Sequence, residues 1–403
     1  MNRRILLAWE LGRGRGHAYI AGWVARALRR RGYEPIAAIK QLDSADVIAA
    51  IDPDTACIQA PIWPDLLAGS PILPSDPPVT LGDTMGQVGL RSSASVRQVL
   101  RAWDQLFKEI EPAAVVADFA PGALLAARGR LPSIAIGDCT TLPPATMKNF
   151  PLLSDRAVGS KYEESQLIDA VNGALRETSR ATLAYLPEVF AADRSCVAAF
   201  SELDPYREHR DHPNAAPWLP AWDHGATRSG DEIFAYISMR PRFEATIVRA
   251  LQSIVKQGIP VRVHMPAHDA EALALLEELG VMVERAALPF EDIQRRSRLV
   301  LSVGSLGFVS CALVAGIPQI VLPLGDFTYV ASAIEQLGAG RSIKLQAGNP
   351  LEVPLLAQAI VDIYRDENIL ARAQEIAPSF SRRLAPPPEE AVARYVEDLI
   401  GSA

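Results

Sequence analysis

Two glycine-rich turns hold the residues of this chain best suited to chemistry. Gly304-Ser305-Leu306-Gly307 follows the apolar run Leu299 to Val303 and feeds a helix. A helix start aims unpaired N–H groups and the positive end of its dipole at whatever sits there, and glycines let a ligand approach the backbone, so this turn reads as a phosphate seat. Ser305 and Ser310 supply hydroxyls beside it. Near the other end of the chain, Gly12-Arg13-Gly14-Arg15-Gly16-His17 follows the run Arg4 to Trp9. Gly12 and Gly14 have the spacing of a dinucleotide fingerprint, but His17 stands where a third glycine must allow close helix packing, and the GK[ST] ending of a P-loop is absent. Asp118 closes a third apolar run, Ala113 to Ala117. Ligands of open α/β sheets gather at the carboxyl ends of strands, which is where His17 should also be, although the same position suits a cap on the following helix.

Other chemistries find less support. His209-x-x-His212 and His224 lack flanking cysteines or helical spacing, and Pro266 separates His264 from His268, so no metal site is expected. Cys57, Cys139, Cys196 and Cys311 stand alone, which suits a reducing compartment and opposes a zinc or disulfide framework. The net charge of −7 without a basic cluster argues against nucleic acid and against a polybasic membrane anchor. The apolar run after Met1-Asn2-Arg3-Arg4 is too short for a signal peptide, and none approaches the ~20 residues of a membrane span. A soluble cytoplasmic protein with a small-molecule partner is expected.

The elements that must position these residues follow from periodicity. At 403 residues the chain suggests two domains. Arg4 to Trp9 and Glu34 to Ile39 read as strands around a helix Ala18 to Arg31, whose final arginines complement its dipole. Residues 52–90, dense in Pro, Gly and Asp, read as a long irregular excursion. Ser93 to Ile110 is an amphipathic helix, followed by the strand Ala113 to Ala117, a helix Gly122 to Arg128 and the strand Ser133 to Ile136. The Pro-rich stretch Asp204 to Asp231 reads as the interdomain linker. Beyond it, Glu232 to Ser238 is a strand running into Met239-Arg240-Pro241-Arg242. Gly316 stops the helix after the phosphate seat, and Gln319 to Pro323 is the next strand.

The segments AGIPQIVLP and LGAG, with the turn before them, resemble the donor-binding signature of nucleotide-sugar glycosyltransferases, particularly bacterial macrolide, flavonoid and natural-product UDP-glycosyltransferases. Gly14-Arg15-Gly16-His17 is similar to the GxGH part of that family's first loop, with Ile20 in place of its usual Pro. VVADFAPGALLAARGRLPSIAI resembles the segment whose Asp orients the catalytic His. The likeness spans the chain, with specific motifs at its two ends. It implies an α/β protein with two Rossmann-like domains facing a cleft, the glycosyltransferase B fold. Residues 1–215 would bind acceptor, 216–385 would bind the nucleotide sugar, and 386–403 would form a helix crossing back to the first domain.

The resemblance further implies an inverting, metal-independent transfer of a sugar from a nucleoside diphosphate, UDP or dTDP, to a hydroxyl of a small-molecule or lipid-like acceptor. No cofactor is implied beyond that co-substrate. His17 would be the general base, since a hydroxyl is a poor nucleophile at neutral pH and a group with a pKa near 7 can take its proton. Asp118 would fix its tautomer, Gly14 and Gly16 would shape the acceptor loop, Asp326 would accept from sugar hydroxyls, and Phe290 is the aromatic nearest the expected nucleotide base. The family usually has His at Val303, Gly at Ser305, Thr or Ser at Phe308, Glu at Cys311 and Gln at Phe327, so several donor contacts are absent. Arg240 is the candidate replacement cation, or an exposed loop arginine. The alternative function is a catalytically silent protein that binds a sugar nucleotide or a partner enzyme as activator or sensor, and a homodimer is left open.

Overall fold

Apolar runs bounded by Gly or Pro become the strands of two parallel sheets, each covered by helices on both faces. The computed structural model describes residues 3–12, 14–67, 78–153, 159–225, 229–237, 244–266, 270–323, 328–345 and 352–401. They form two compact units, Met1–Trp218 with Pro386–Ala403, and Leu219–Ala385.

In the first unit, β1 (Arg4–Trp9), α1 (Gly16–Arg30), β2 (Glu34–Ile39), α2 (Ala45–Ile51) and β3 (Ala56–Gln59) make one half. Helices α3 (Pro64–Leu67), α4 (Leu81–Met85) and α5 (Ser93–Ile110) lead to β4 (Ala114–Asp118), α6 (Pro121–Ala127), β5 (Ser133–Gly137), α7 (Glu164–Glu177) and β6 (Arg194–Val197). All pairings are parallel, in the order β3-β2-β1-β4-β5-β6. Every residue of β4 and β5 is buried, which is why their sequences are unbroken apolar runs rather than alternating ones. The strand order reverses between β1 and β4, the point at which doubly wound sheets bind their ligands. Helix α5 keeps its place by burying Val96, Val99, Leu100, Trp103 and Phe107 on one face, and Ser92 caps its start by accepting from the Ser95 N–H.

The second unit repeats the plan with β7 (Glu232–Tyr236), α8 (Glu244–Val255), β8 (Val261–His264), α9 (Ala270–Glu278), β9 (Met282–Glu284), α10 (Phe290–Arg296), β10 (Ser297–Ser302), α11 (Leu306–Ala315), β11 (Gln319–Val321), α12 (Tyr329–Gln336) and β12 (Gly340–Ser342), then α13 (Glu352–Arg365) and α14 (Glu367–Ser381). Its order, β12-β11-β10-β7-β8-β9, is the same topology, with the switch between β7 and β10. The last helix, α15 (Pro388–Gly401), belongs to the first unit, where Val392, Ala393 and Val396 are buried in its core and Arg31 pairs with Glu390 at 2.6 Å. Among the described residues, no helix is long and apolar enough to cross a membrane.

Four segments differ from what periodicity suggests. Residues 52–90 are partly regular: they hold β3, α3, α4 and a π-helical turn at Gly86–Leu90. Their polar residues serve as caps, for Thr80 and Asp83 form a reciprocal capping box and buried Asp83 also accepts from the N–H groups of Lys161 and Tyr162. The stretch from Asp204 to Trp218 is part of the first unit rather than a solvated linker. Buried Asp204 accepts from Arg210 Nε at 2.8 Å and from Asn214 Nδ2 at 2.9 Å, a charge pair that periodicity cannot reveal. The short edge strands β6 and β12 are also additions.

Candidate functional site

His17, Asp118 and the Gly304–Gly307 turn follow the carboxyl ends of strands that flank the switch points. In the first unit β1 and β4 are neighbours with Trp9 opposite Asp118, and α1 begins at Gly16, so His17 lies in its first turn. His17 Nδ1 is 2.7 Å from Asp118 Oδ2. A carboxylate only accepts, so this contact assigns the neutral imidazole's proton to Nδ1 and leaves Nε2 as the proton acceptor. The Trp9 ring stacks on the imidazole at 5.1 Å, and its indole Nε1 donates to the Leu11 carbonyl at 2.5 Å. Burial lowers the pKa of His17, but the charge and hydrogen bond of Asp118, with Asp138 behind, outweigh burial and Lys40, so His17 sits above its ordinary value of 6.5.

The glycine turn contributes differently from what its motif suggests. A Cβ on Gly14 or Gly16 would meet nothing within 4 Å, whereas a Cβ on Gly12 would fall 2.3 Å from His17 Nε2. Gly12, at φ +84°, is therefore the position where only glycine leaves room for the imidazole. Lys40 Nζ holds this turn by donating to the Gly12 carbonyl at 2.8 Å.

Asp118 does not cap α6; Glu10 does. Glu10 is 2% exposed. Its Oε2 accepts from the Gly122 N–H at 2.9 Å and the Trp63 indole at 3.0 Å, and its Oε1 accepts from the Ala123 N–H at 2.7 Å and the Trp103 indole. Burial raises Glu10 to about 7 while these four donors pull downward. Both oxygens are occupied by donors and no acceptor is offered to an O–H, so the geometry holds the carboxylate form. Sequence reasoning missed Glu10. The available signal was a charged residue directly after a fully apolar strand.

In the second unit, Gly304 at φ +91° turns the chain from β10, Ser305 is the N-cap residue, and α11 starts at Leu306. Gly307 is exposed within the first helical turn, so the free N–H groups lie around Ser305 to Gly307. Ser310 is 1% exposed and its hydroxyl has no partner among the described residues, which removes it from this surface. Phe290 is a core side chain, 8% exposed and packed against Trp222 and Phe308. Phe308 joins Phe234, Tyr236 and Phe290 with centroids 5.0–6.1 Å apart, so the ring that replaces the expected hydroxyl is used for packing. Arg240 and Asp326 lie outside the described residues.

A cavity of about 460 Å³ lined by His224, Gln294, Gly316, Gln374 and Ser381 opens at the far end of α11, about 15 Å of helix from the glycine turn. Its lining includes none of the glycine-turn residues and neither His17 nor Asp118. Among the described residues, no three His, Cys, Asp or Glu side chains are grouped so as to hold a metal ion.

No family model and no curated protein matches the chain by sequence. Solved structures do match it. The calicheamicin glycosyltransferase CalG4 superposes with a TM-score of 0.69 at 19% identity, covering 99% of this chain and 98% of that one. The chain has the fold of the B-type glycosyltransferases. The glycotransferase of kitacinnamycin gives 0.68 at 16% identity over 98% of both chains. The spinosyn rhamnosyltransferase SpnG, complexed with thymidine diphosphate, gives 0.61 at 19% identity, over 98% of this chain and 100% of that one. At such identities the likeness is one of fold, and the chemistry rests on this chain's own residues.

Proposed function

We propose that this chain is a cytoplasmic glycosyltransferase that moves a sugar from a nucleoside diphosphate, dTDP or UDP, to a hydroxyl of a small-molecule or lipid-like acceptor, with inversion and without a metal ion or other cofactor. The observation that carries the reading is the 2.7 Å contact between His17 Nδ1 and Asp118 Oδ2 at the β1/β4 switch point. As the acceptor oxygen forms its bond to the anomeric carbon, His17 Nε2 takes its proton and Asp118 balances the imidazolium. The bond to the diphosphate breaks on the opposite face, which inverts the centre, and the electron pair leaves with the diphosphate. The N-terminus of α11 with Gly304, Ser305 and Gly307 stabilises that departing charge, assisted by Arg240, while Asp326 accepts from sugar hydroxyls. Thymidine diphosphate in a protein of like fold supports dTDP as the first donor to try.

A catalytically silent sugar-nucleotide binder is the second reading, favoured by buried Val303 and by the packing of Phe308 in the donor turn. Acceptor-dependent release of nucleoside diphosphate separates the two, and thermal shift with UDP, dTDP, GDP and their sugars tests the donor site that both require. A nucleotide at a hundred times its dissociation constant adds about 2.7 kcal/mol, and the transferase reading expects dTDP or UDP to do so. Absence of any shift across the panel contradicts it.

A further inference from the structure

The tripeptide Trp9-Glu10-Leu11 makes three separate attachments to the His17–Asp118 pair and its support. Trp9 stacks on the imidazole. The Leu11 N–H donates to the Phe119 carbonyl at 3.1 Å. Phe119, directly after Asp118, has φ +44°, a left-handed conformation that a bulky side chain adopts only when its surroundings impose it. Glu10 then seizes the helix that follows this strained turn: its two oxygens take the N–H groups of Gly122 and Ala123, while their remaining lone pairs take the indoles of Trp63 and Trp103. Ala120, the N-cap residue of α6, has no side chain able to serve that helix start. Gly122 is matched to the arrangement, because a Cβ there would lie 2.5 Å from Val99 Cγ1 of α5 and 2.6 Å from Glu10 Oε1.

One buried carboxylate thus fastens the end of β1 to α5, to α6 and to the segment around Trp63. The strained residue that aims Asp118 is pinned on one side by β4 and on the other by the Glu10–α6 contact. We propose that Glu10 is a positioning residue, whose grip on the N-terminus of α6 fixes the Phe119 turn and so holds the Asp118 carboxylate against His17. This rests on the reading of His17 as the base, but its structural half can be measured without any substrate.

The charged groups that act on His17 are Asp118, Asp138 and Lys40, and Trp9 stacks on its ring. If Glu10 loses its reach, Asp118 swings free, its raising influence on His17 weakens while burial still lowers, and the His17 titration moves down. Two variants keep the Glu10 charge while breaking the grip. Glu10→Asp withdraws the carboxylate by one methylene and is the cleaner of the two, and Gly122→Ala displaces it sterically while also pressing on Val99. The imidazole of His17 is titrated by NMR in the full-length protein and both variants, with folding checked by near-UV circular dichroism and the resonance assigned by His17→Ala.

The expected result is a downward displacement of the His17 titration in each folded variant, and in turnover assays a kcat about 100-fold lower with donor KM within about twofold. A merely structural Glu10 lowers the melting temperature and leaves the imidazole titration unchanged; that result in either folded variant overturns the proposal. Should the titration shift as expected while the wild-type protein transfers no sugar from any donor, the positioning role stands and the transferase reading fails.

Discussion

Burial alone would make His17 a weaker base, and it is the charge of Asp118, with Asp138 behind it, that reverses the sign. The neutral ring is the active form of a general base, so kcat/KM should climb with pH along a limb centred above 6.5. Asp118→Asn removes the raising influence and leaves burial, so the limb moves to lower pH while kcat falls roughly 10²–10⁴-fold, both read from a pH–rate profile. The stability linkage has its own sign. A folded pKa raised above the unfolded value stabilises the protein fully below about pH 6.5 and loses that contribution as pH rises through the folded value. The melting difference between wild type and Asp118→Asn should therefore be larger at pH 6 than at pH 8. His17 and Asp118 were legible because each closes or follows an unbroken apolar strand. Glu10 was not, because its donors lie 53, 93, 112 and 113 residues away and nothing local marks their convergence. Gly12 was overshadowed by the GxGH motif, although it is the glycine that touches the imidazole.

At the scale of elements, α11 combines a suitable helix start with an unsuitable side chain. Phe308 stands in the first turn of the helix, where it packs on Phe234, Tyr236 and Phe290. Phe308→Thr would forfeit part of that packing, about 2–3 kcal/mol for a partly buried ring, and supply a hydroxyl to the donor phosphate. A hydrogen bond to a charged group contributes about 1.5–3 kcal/mol, or roughly 10–100-fold in affinity. The variant should melt earlier and yet bind dTDP or UDP more tightly by calorimetry; unchanged affinity would place the phosphate elsewhere. Strands buried on both faces, such as β4 and β10, were readable from composition. β6 and β12 were not, since short edge strands with exposed residues carry no continuous apolar signal. The buried Asp204–Arg210 pair likewise hides inside a Pro-rich stretch that looks like linker.

For the whole molecule, the chain crosses into a second unit at Leu219 and returns to the first through α15. Twofold repetition of one strand order places a switch point in each unit, and the sequence motifs at the two ends of the chain sit at those points. The return helix matters energetically through its apolar face more than through Arg31–Glu390, because a partly exposed ion pair adds little. Val392→Ala with Val396→Ala removes about four buried methyl groups' worth of apolar material. At ~0.8 kcal/mol each, the first unit should lose about 3 kcal/mol. Five of the six tryptophans lie in that unit, so denaturant unfolding followed by tryptophan fluorescence reports the loss.

The most direct test of the central claim is turnover by His17→Ala beside its affinity for donor. Release of nucleoside diphosphate from a dTDP- or UDP-sugar is followed in the presence of a panel of hydroxylated aglycones, and donor binding is measured by calorimetry. The account predicts that His17→Ala loses acceptor-dependent turnover while donor affinity stays within about twofold of wild type. Turnover retained at the wild-type rate would contradict the assignment of His17 as the base.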